Sequence, residues 1–404
     1  MSRPHSNVRF MPDIEALRAL TPGCSQRTHL NNAGAALMST PTITTMTDYL
    51  HREALIGGYE AEGEAAERIA AVYDSLATLL GALPTQIALF DNSTHAWNAA
   101  FYSVPLRAGD RILTGRNEYG SSVLAYLQVA QRTGAELVVV PNDDTGQIDL
   151  DALANLIDDR TKLIGITWVP TSGGLVNPAT DVGRLAREAD VLYLLDATQT
   201  AGQLPIDVAA IGCDMLTGTG RKFLRGPRGT GFLYAGERAI DRLEPYVAEI
   251  QSATWDGARS FTWVDGAQRF ETWENSYVNV LGLGAAVRQA LDVGVDWIGA
   301  RSAALGARLR DGLAQIDGVT VHDLGRQQCA IVTARIAGMD TATAAAELSR
   351  QGINVSTTVA EHNQLDTEVR DVHPMLRLSP HYFNTDAEID RAVDAIAGLA
   401  ANHR

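Results

Sequence analysis

The chain has little lysine, little cysteine and no long apolar run. Only Lys162 and Lys222 are lysines among 33 basic residues in 404; the rest are arginine. Depletion of this kind fits a GC-rich genome, so a surviving lysine is a candidate for chemistry that arginine cannot perform. Arginine stays protonated and forms no Schiff base, whereas lysine can. The alternative for either lysine is chance survival on a solvated surface, and their surroundings decide. The three cysteines, Cys24, Cys213 and Cys329, are widely spaced with no CxxC. That argues against a thiolate metal site, so no metal is expected, and it fits a reducing, cytoplasmic compartment. No eighteen-residue uncharged apolar stretch exists, which excludes a membrane-spanning helix, and residues 1–20 lack the apolar core of a secretory leader. Positive charge is scarce as well. The formal net charge of −15 disfavours nucleic acid and anionic membrane surfaces as partners. With 46% hydrophobic, 20% charged and 6% aromatic residues, the composition is that of a globular protein, and the length suggests two or three domains.

Within the chain, helical spacing of apolar residues over Ala65–Leu80, stopped by Gly81, opens a series of alternating elements. Short aliphatic runs at Ile87–Phe90, Arg111–Thr114, Glu136–Val140, Leu163–Val169, Val191–Leu195, Cys213–Leu216 and Gly231–Tyr234 read as strands. Amphipathic stretches lie between several of them. This predicts an α/β fold, with a large domain built on a mostly parallel, seven-stranded sheet flanked by helices. After about Val280 the pattern changes. One long helical stretch (Leu281–Ile316) leads into short strands and a final helix headed by a capping box, Thr385 to Glu388. The expected division is an N-terminal segment of the small domain at 1–35, the large domain at 36–280 and a small α+β domain at 281–404. The region Tyr246–Trp273, with three tryptophans, fits no simple element.

In open α/β sheets ligands bind beyond the carboxyl ends of the strands. Three loops there carry chemistry. After Ile87–Phe90 comes Asp91-Asn92-Ser93-Thr94-His95, opening a helix; hydroxyls and free amides at a helix start suit phosphate, although Ser and Thr also cap many helices. After Val191–Leu195 comes Asp196-Ala197-Thr198-Gln199, where a carboxylate ends a buried strand. It reads either as a helix N-cap or as the ion-pair partner of a protonated ring nitrogen. After Cys213–Leu216 comes a glycine-rich loop from Thr217 to Gly231 that embeds Lys222. Lys222 follows no GxxxxG and precedes no Ser or Thr, so it is not a nucleotide P-loop, and no GxGxxG joins a first strand to its helix. A phosphate cradle, a carboxylate and a lysine amine are together what pyridoxal 5′-phosphate (PLP) requires.

On these motifs the chain resembles the class V aminotransferase family of fold-type I PLP enzymes, which includes cysteine desulfurases, isopenicillin N epimerase-like proteins and C–S lyases. The similarity runs from about His29 to the last helix. The resemblance implies that Lys222 forms the Schiff base, that Asp196 pairs with the pyridine nitrogen and that Gln199 bonds the ring oxygen. It places Ser93, Thr94, Thr219 and Arg221 on the phosphate, Tyr119 on the ring face and Thr171 near the cofactor. Asn32, in Asn31-Asn32-Ala33-Gly34, resembles the substrate entrance, and Arg377 the arginine that grips the substrate α-carboxylate. His51, His95, His362 and His381 are further candidates for the substrate side chain, or ordinary surface and packing residues. Lys222, Asp196 and Tyr119 are the expected catalytic residues.

Departures from the family pattern narrow the reaction. Desulfurases of this family carry a nucleophilic cysteine on a mobile loop shortly before the carboxylate arginine, and residues 357–373 contain none. Tyr119 stands where they have a stacking histidine, and Trp273 or Glu274 where a neighbouring subunit's threonine meets the phosphate. The Arg221-Lys222 pair with Gly226-Pro227-Arg228-Gly229 resembles the branches that contain cysteine-conjugate and sulfoxide C–S lyases. The expected activity is β-elimination from an S-substituted L-cysteine or its sulfoxide; an aminotransferase or epimerase is the alternative, and a non-catalytic PLP-binding protein the less favoured one. The expected partners are an amino-acid substrate and a second copy of the chain in a homodimer with shared active sites.

Overall fold

The computed structural model describes residues 12–372 and 374–402; the first residues of the expected 1–35 segment lie outside them. Seven strands form the central sheet: β1 (Ile87–Phe90), β2 (Arg111–Thr114), β3 (Glu136–Val139), β4 (Thr161–Thr167), β5 (Leu192–Asp196), β6 (Met215–Thr219) and β7 (Gly231–Ala235). Their order is β1-β7-β6-β5-β4-β2-β3, and only β7 runs antiparallel to its neighbours. The mostly parallel sheet read from the sequence is present. β4, β5, β6 and β7 are buried along almost their whole length, as aliphatic strands covered by helices on both faces must be.

The register brings the chemistry to one edge. Thr167 at the end of β4 pairs with Asp196 at the end of β5, and Asp196 with Thr217 in β6. On the far side of β6, Thr219 pairs with Gly231, which pairs with Phe90 at the end of β1. Loops after β1, β5 and β6 therefore open side by side. Two glycines make this approach possible. A Cβ on Gly231 would fall 2.3 Å from the Asn92 carbonyl carbon, and one on Gly218 would fall 2.2 Å from the Phe232 ring. β6 continues to Thr219 rather than stopping at Leu216 because Thr217, Gly218 and Thr219 go on pairing with Leu233, Phe232 and Gly231 of β7.

The remaining chain builds a second, antiparallel sheet of β8 (Val319–Val321), β9 (Val332–Ile336), β10 (Ser356–Thr357) and β11 (Leu376–Leu378), ordered β8-β9-β11-β10. Thr28–His29 pairs in parallel with Ile353–Asn354, so the start of the described chain is joined to this region. The capping box forms as read: Thr385 Oγ1 accepts from Glu388 N at 3.1 Å, and Glu388 Oε2 accepts from Thr385 N at 2.9 Å. Two expectations differ. The long helical stretch is two helices, Tyr277–Val293 and Val295–Ala314, bent by 82° at Gly294, whose φ of +92° breaks the helix. The unassigned tryptophan-rich region is a hairpin, Ala253–Gly257 with Ser260–Trp263, followed by a short 3₁₀ turn at Ala267–Phe270. Among the described residues no single helix is long and apolar enough to cross a membrane.

Candidate active site

The loops beyond the strand ends line a cleft that opens to solvent. Ser93, Thr94, Tyr119, Thr171, Asp196, Gln199, Thr219, Arg221 and Lys222 line it, together with Asn92, Trp97, Asn98, Ser121, Ser122, Thr167, Val169 and Thr198. Of the eleven residues singled out in the sequence, Asn32 and Arg377 stand outside this lining. Arg377 nevertheless reaches it: its Nη1 donates to Thr171 Oγ1 at 2.6 Å and to the Thr171 carbonyl at 3.1 Å. Asn32 is fully buried, its amide donating to the Ser379 carbonyl at 2.7 Å, so it holds the end of the β11 loop in place.

The helix Ser93–Phe101 begins at the cleft with Asn92 as its N-cap, whose side chain accepts from His95 N at 2.9 Å. The first intrahelical bond is from Ala96 N to the Asn92 carbonyl at 3.2 Å, so the Ser93 and Thr94 amides precede the ladder and face the cleft mouth. Ser93 and Thr198 share a hydrogen bond between their hydroxyls. Thr219 is differently placed: its hydroxyl donates to the Thr230 carbonyl at 2.8 Å, so it must turn before it can donate to a ligand. Arg221 is half-buried and donates to the Gly34 carbonyl.

Asp196 is buried, and Thr198 N donates to its Oδ1 at 2.8 Å. Burial pushes its pKa up, against the Thr198 bonds and the nearby Lys222 charge, which favour the anion. Lys222 is also buried. Its amine is pushed down to about 7, first by burial and then by the Arg221 and Arg377 charges, with Asp196 opposing. Such a lysine is half unprotonated near neutrality, which is what an attacking amine needs. Lys162 provides the contrast. It is exposed, and its amine donates to the Asp159 carbonyl at 2.6 Å, as a surface lysine does.

PLP fits this cleft on structural grounds. Gln199 donates to Thr171 Oγ1 at 2.9 Å and to the Ala33 carbonyl at 3.1 Å, yet its buried Oε1 has no partner. Arg377 Nε is likewise buried without one, and burial with the Arg221 charge lowers the Arg377 pKa to about 10. Both groups keep hydrogen-bonding capacity that a bound ligand could use. The free amides at the helix start and the Arg221 guanidinium could hold a phosphate there.

Sequence reasoning missed Glu118. It is buried one residue before Tyr119, with Oε1 accepting from Thr167 N at 2.9 Å and Oε2 from Thr167 Oγ1 at 2.8 Å. Tyr119 N in turn donates to Thr167 Oγ1 at 3.3 Å, so Glu118 and Thr167 fix the loop that presents Tyr119, whose ring is partly exposed. Burial raises the Glu118 pKa to about 8. The only trace in the sequence is a carboxylate in a post-strand loop, which many solvated loops share. The histidines divide. His381 is fully buried, its Nε2 donates to the Phe223 carbonyl at 2.8 Å, and burial pushes its pKa down to about 3, so it packs rather than meets substrate. His95 pairs with Asp91 at 2.6 Å on the exposed side of the helix start. His51 is exposed, and the His362 carbonyl lies against Gly120. Trp273 and Glu274 line a separate groove with Tyr59 and Tyr246.

A cleft at the carboxyl edge of a doubly flanked sheet, lined by a buried lysine of depressed basicity and by a helix start, is that of a PLP-dependent enzyme. The class V aminotransferase family model matches residues 28–392, and the chain belongs to that family. It is 33% identical over 401 residues to a probable cysteine desulfurase of Xylella fastidiosa, covering 95% of each chain. The fold superposes on the apo cysteine desulfurase from Thermococcus onnurineus with a TM-score of 0.89 and 22% identity, covering 97% of this chain and 99% of that one. It also superposes on the cystine C–S lyase C-DES, in complex with its reaction product cysteine persulfide, with a TM-score of 0.83 and 23% identity over 93% of this chain and 99% of that one. PLP is the cofactor.

The depressed lysine sets a pH dependence. Below its pKa the amine is protonated and cannot attack the PLP aldehyde; above it the free amine dominates. Uptake of PLP by the apoprotein, followed as growth of the visible band, is therefore expected to accelerate with rising pH through about 7 and then level off. A rise continuing to pH 10 would mean an ordinary, solvated lysine.

Proposed function

We propose that this enzyme is a β-eliminating C–S lyase acting on an S-substituted L-cysteine or its sulfoxide, and releasing a thiol or sulfenic acid, pyruvate and ammonia. The observation that carries this reading is the lack of a cysteine on the loop before Arg377. Desulfuration needs a cysteine thiolate to accept sulfur, yet residues 357–373 hold no cysteine. Cys329 is fully buried, and burial raises its thiol to about 11. Elimination needs no sulfur acceptor.

When bound, PLP supplies an aldehyde that takes the substrate amine covalently and a ring that draws charge away from Cα. The residues divide the remaining work. Ser93, Thr94 and Arg221 hold the phosphate, and Thr219 joins them once its hydroxyl turns. Asp196 keeps a proton on the ring nitrogen, Gln199 bonds the ring oxygen, and Tyr119 covers the ring face. Arg377, tied to Thr171, grips the α-carboxylate through its planar fork. Asn32 holds the Ser379 segment at the substrate entrance. Lys222, once displaced by the substrate amine, takes the proton from Cα, and loss of the sulfur group from Cβ follows. In this arrangement residues 36–280 carry the cofactor and the domain from 281 onward the carboxylate grip, with Thr28–His29 of the N-terminal segment paired to Ile353–Asn354 of that domain. We also propose a cytoplasmic homodimer: the exposed Tyr59 and Trp273 share one groove that a second copy would cover.

The test is a product screen with S-alkyl cysteines, cysteine conjugates and their sulfoxides. Pyruvate and thiol in equal amounts from at least one conjugate is the expected result. Keto-acid exchange or loss of optical activity, with no pyruvate from any conjugate, would make the enzyme an aminotransferase or epimerase instead.

A further inference from the structure

Three residues beyond Lys222, Arg225 combines two costly features. Its backbone is left-handed, φ +62°, where glycine would sit more easily, and its side chain is almost wholly buried at 2% exposure. Arg225 N donates to the Lys222 carbonyl at 2.8 Å and Gly226 N to the Gly220 carbonyl at 2.7 Å, so the turn folds closely around the lysine. The guanidinium is held by neutral partners. Nε donates to the Leu37 carbonyl at 2.9 Å, Nη2 to Thr21 Oγ1 at 2.6 Å and Nη1 to the Tyr382 hydroxyl. Its charge lies over the Phe383 ring at 4.6 Å and the Tyr382 ring at 5.2 Å. A buried cation in a strained turn persists only where the surrounding structure holds it in place.

What holds it there is the junction of two segments. Arg377 ends at the cleft on β11, and the chain running on from it reaches His381, Tyr382 and Phe383. His381 Nε2 meets the Phe223 carbonyl at 2.8 Å, one residue past Lys222, and Tyr382 and Phe383 receive the Arg225 guanidinium. The loop that bears the lysine and the strand that bears the carboxylate arginine are thus clasped at two adjacent points, while Thr21 and Leu37 anchor the clasp to the N-terminal segment.

We propose that Arg225 is a positioning residue that fixes the spacing between the Lys222 amine and the Arg377 guanidinium, and so the distance over which an amino acid's nitrogen and carboxylate are held together. This rests on the roles proposed above for Lys222 and Arg377. Arg225→Gly suits the left-handed backbone and removes the whole buried side chain, guanidinium included. In the holoenzyme, dissociation constants are read from the shift of the visible band on adding L-alanine and, separately, ethylamine, which lacks the carboxylate. The expected result is a wild type that prefers L-alanine, and an Arg225→Gly variant that keeps PLP on Lys222 and binds ethylamine normally but binds L-alanine at least about tenfold more weakly. Equal weakening for both ligands, or for neither, would overturn the proposal and leave Arg225 a packing residue. A wild type that does not prefer L-alanine would instead show that the Arg377 role is wrong. Should Arg225→Gly lose PLP or fail to fold, the double variant Thr21→Val with Tyr382→Phe, which strips two of the guanidinium's bonds, is read by the same comparison.

Discussion

Lys222→Arg is expected to reduce turnover at least ~10⁴-fold and to abolish the visible band, although it keeps a basic side chain of nearly the same length. The wild-type amine sits buried beside Arg221 and Arg377 and is half free of its proton near pH 7. Guanidinium keeps its proton at any pH the protein survives, so it can neither add to the PLP aldehyde nor take a proton from Cα. Loss of the general base alone accounts for ~10²–10⁴ in rate, and loss of the covalent anchor adds to it. Steady-state rates and the absorbance spectrum of the purified variant check this. Retention of more than about one-hundredth of wild-type turnover would remove Lys222 from the chemistry.

Asp196→Ala carries the second-largest expected effect. Asp196 ends β5 with one oxygen held by the Thr198 amide, in a site that resists charge. A carboxylate kept there must meet a cation, and the ring nitrogen of PLP is the cation that the proposed geometry supplies. Removing one member of a buried pair costs about 3–5 kcal/mol, which lowers kcat by two to three decades if the loss is felt in the transition state. Asp196→Asn preserves the bond to Thr198 and should lose nearly as much, because it is the charge that matters. An alanine variant with wild-type kcat would show that the residue merely caps its turn.

Much of the site was legible because it lies at strand ends. The aliphatic run that predicts β1 ends where the strand does, while β5 runs one residue past its predicted end at Leu195 and β6 three past Leu216; even so, the runs place Ser93, Asp196 and Lys222 at one edge of the sheet. Lys222 was further marked by scarcity: in a chain with two lysines, the one in a glycine-rich loop is buried in the cleft, and Lys162, in a polar stretch, is on the surface. What the sequence hid depends on three-dimensional pairing. Glu118 and Thr167 are 49 residues apart, and neither type is unusual at its position, so only their mutual hydrogen bonds reveal them. Arg225 looks like one more arginine among many; its left-handed backbone and its stack on Phe383 exist only in the fold. The 82° bend at Gly294 escaped notice because apolar spacing continues through it while the helix axis does not. His381, a polar residue in a motif full of functional ones, is buried beneath the lysine loop, because Phe223 offers its carbonyl there.

The account stands most directly on a covalent bond between PLP and one nitrogen. Borohydride reduction of the yellow holoenzyme, followed by proteolysis and mass mapping, should place a phosphopyridoxyl group on the peptide containing Lys222 and leave Lys162 unmodified. Label on Lys162, or on neither lysine, would contradict it.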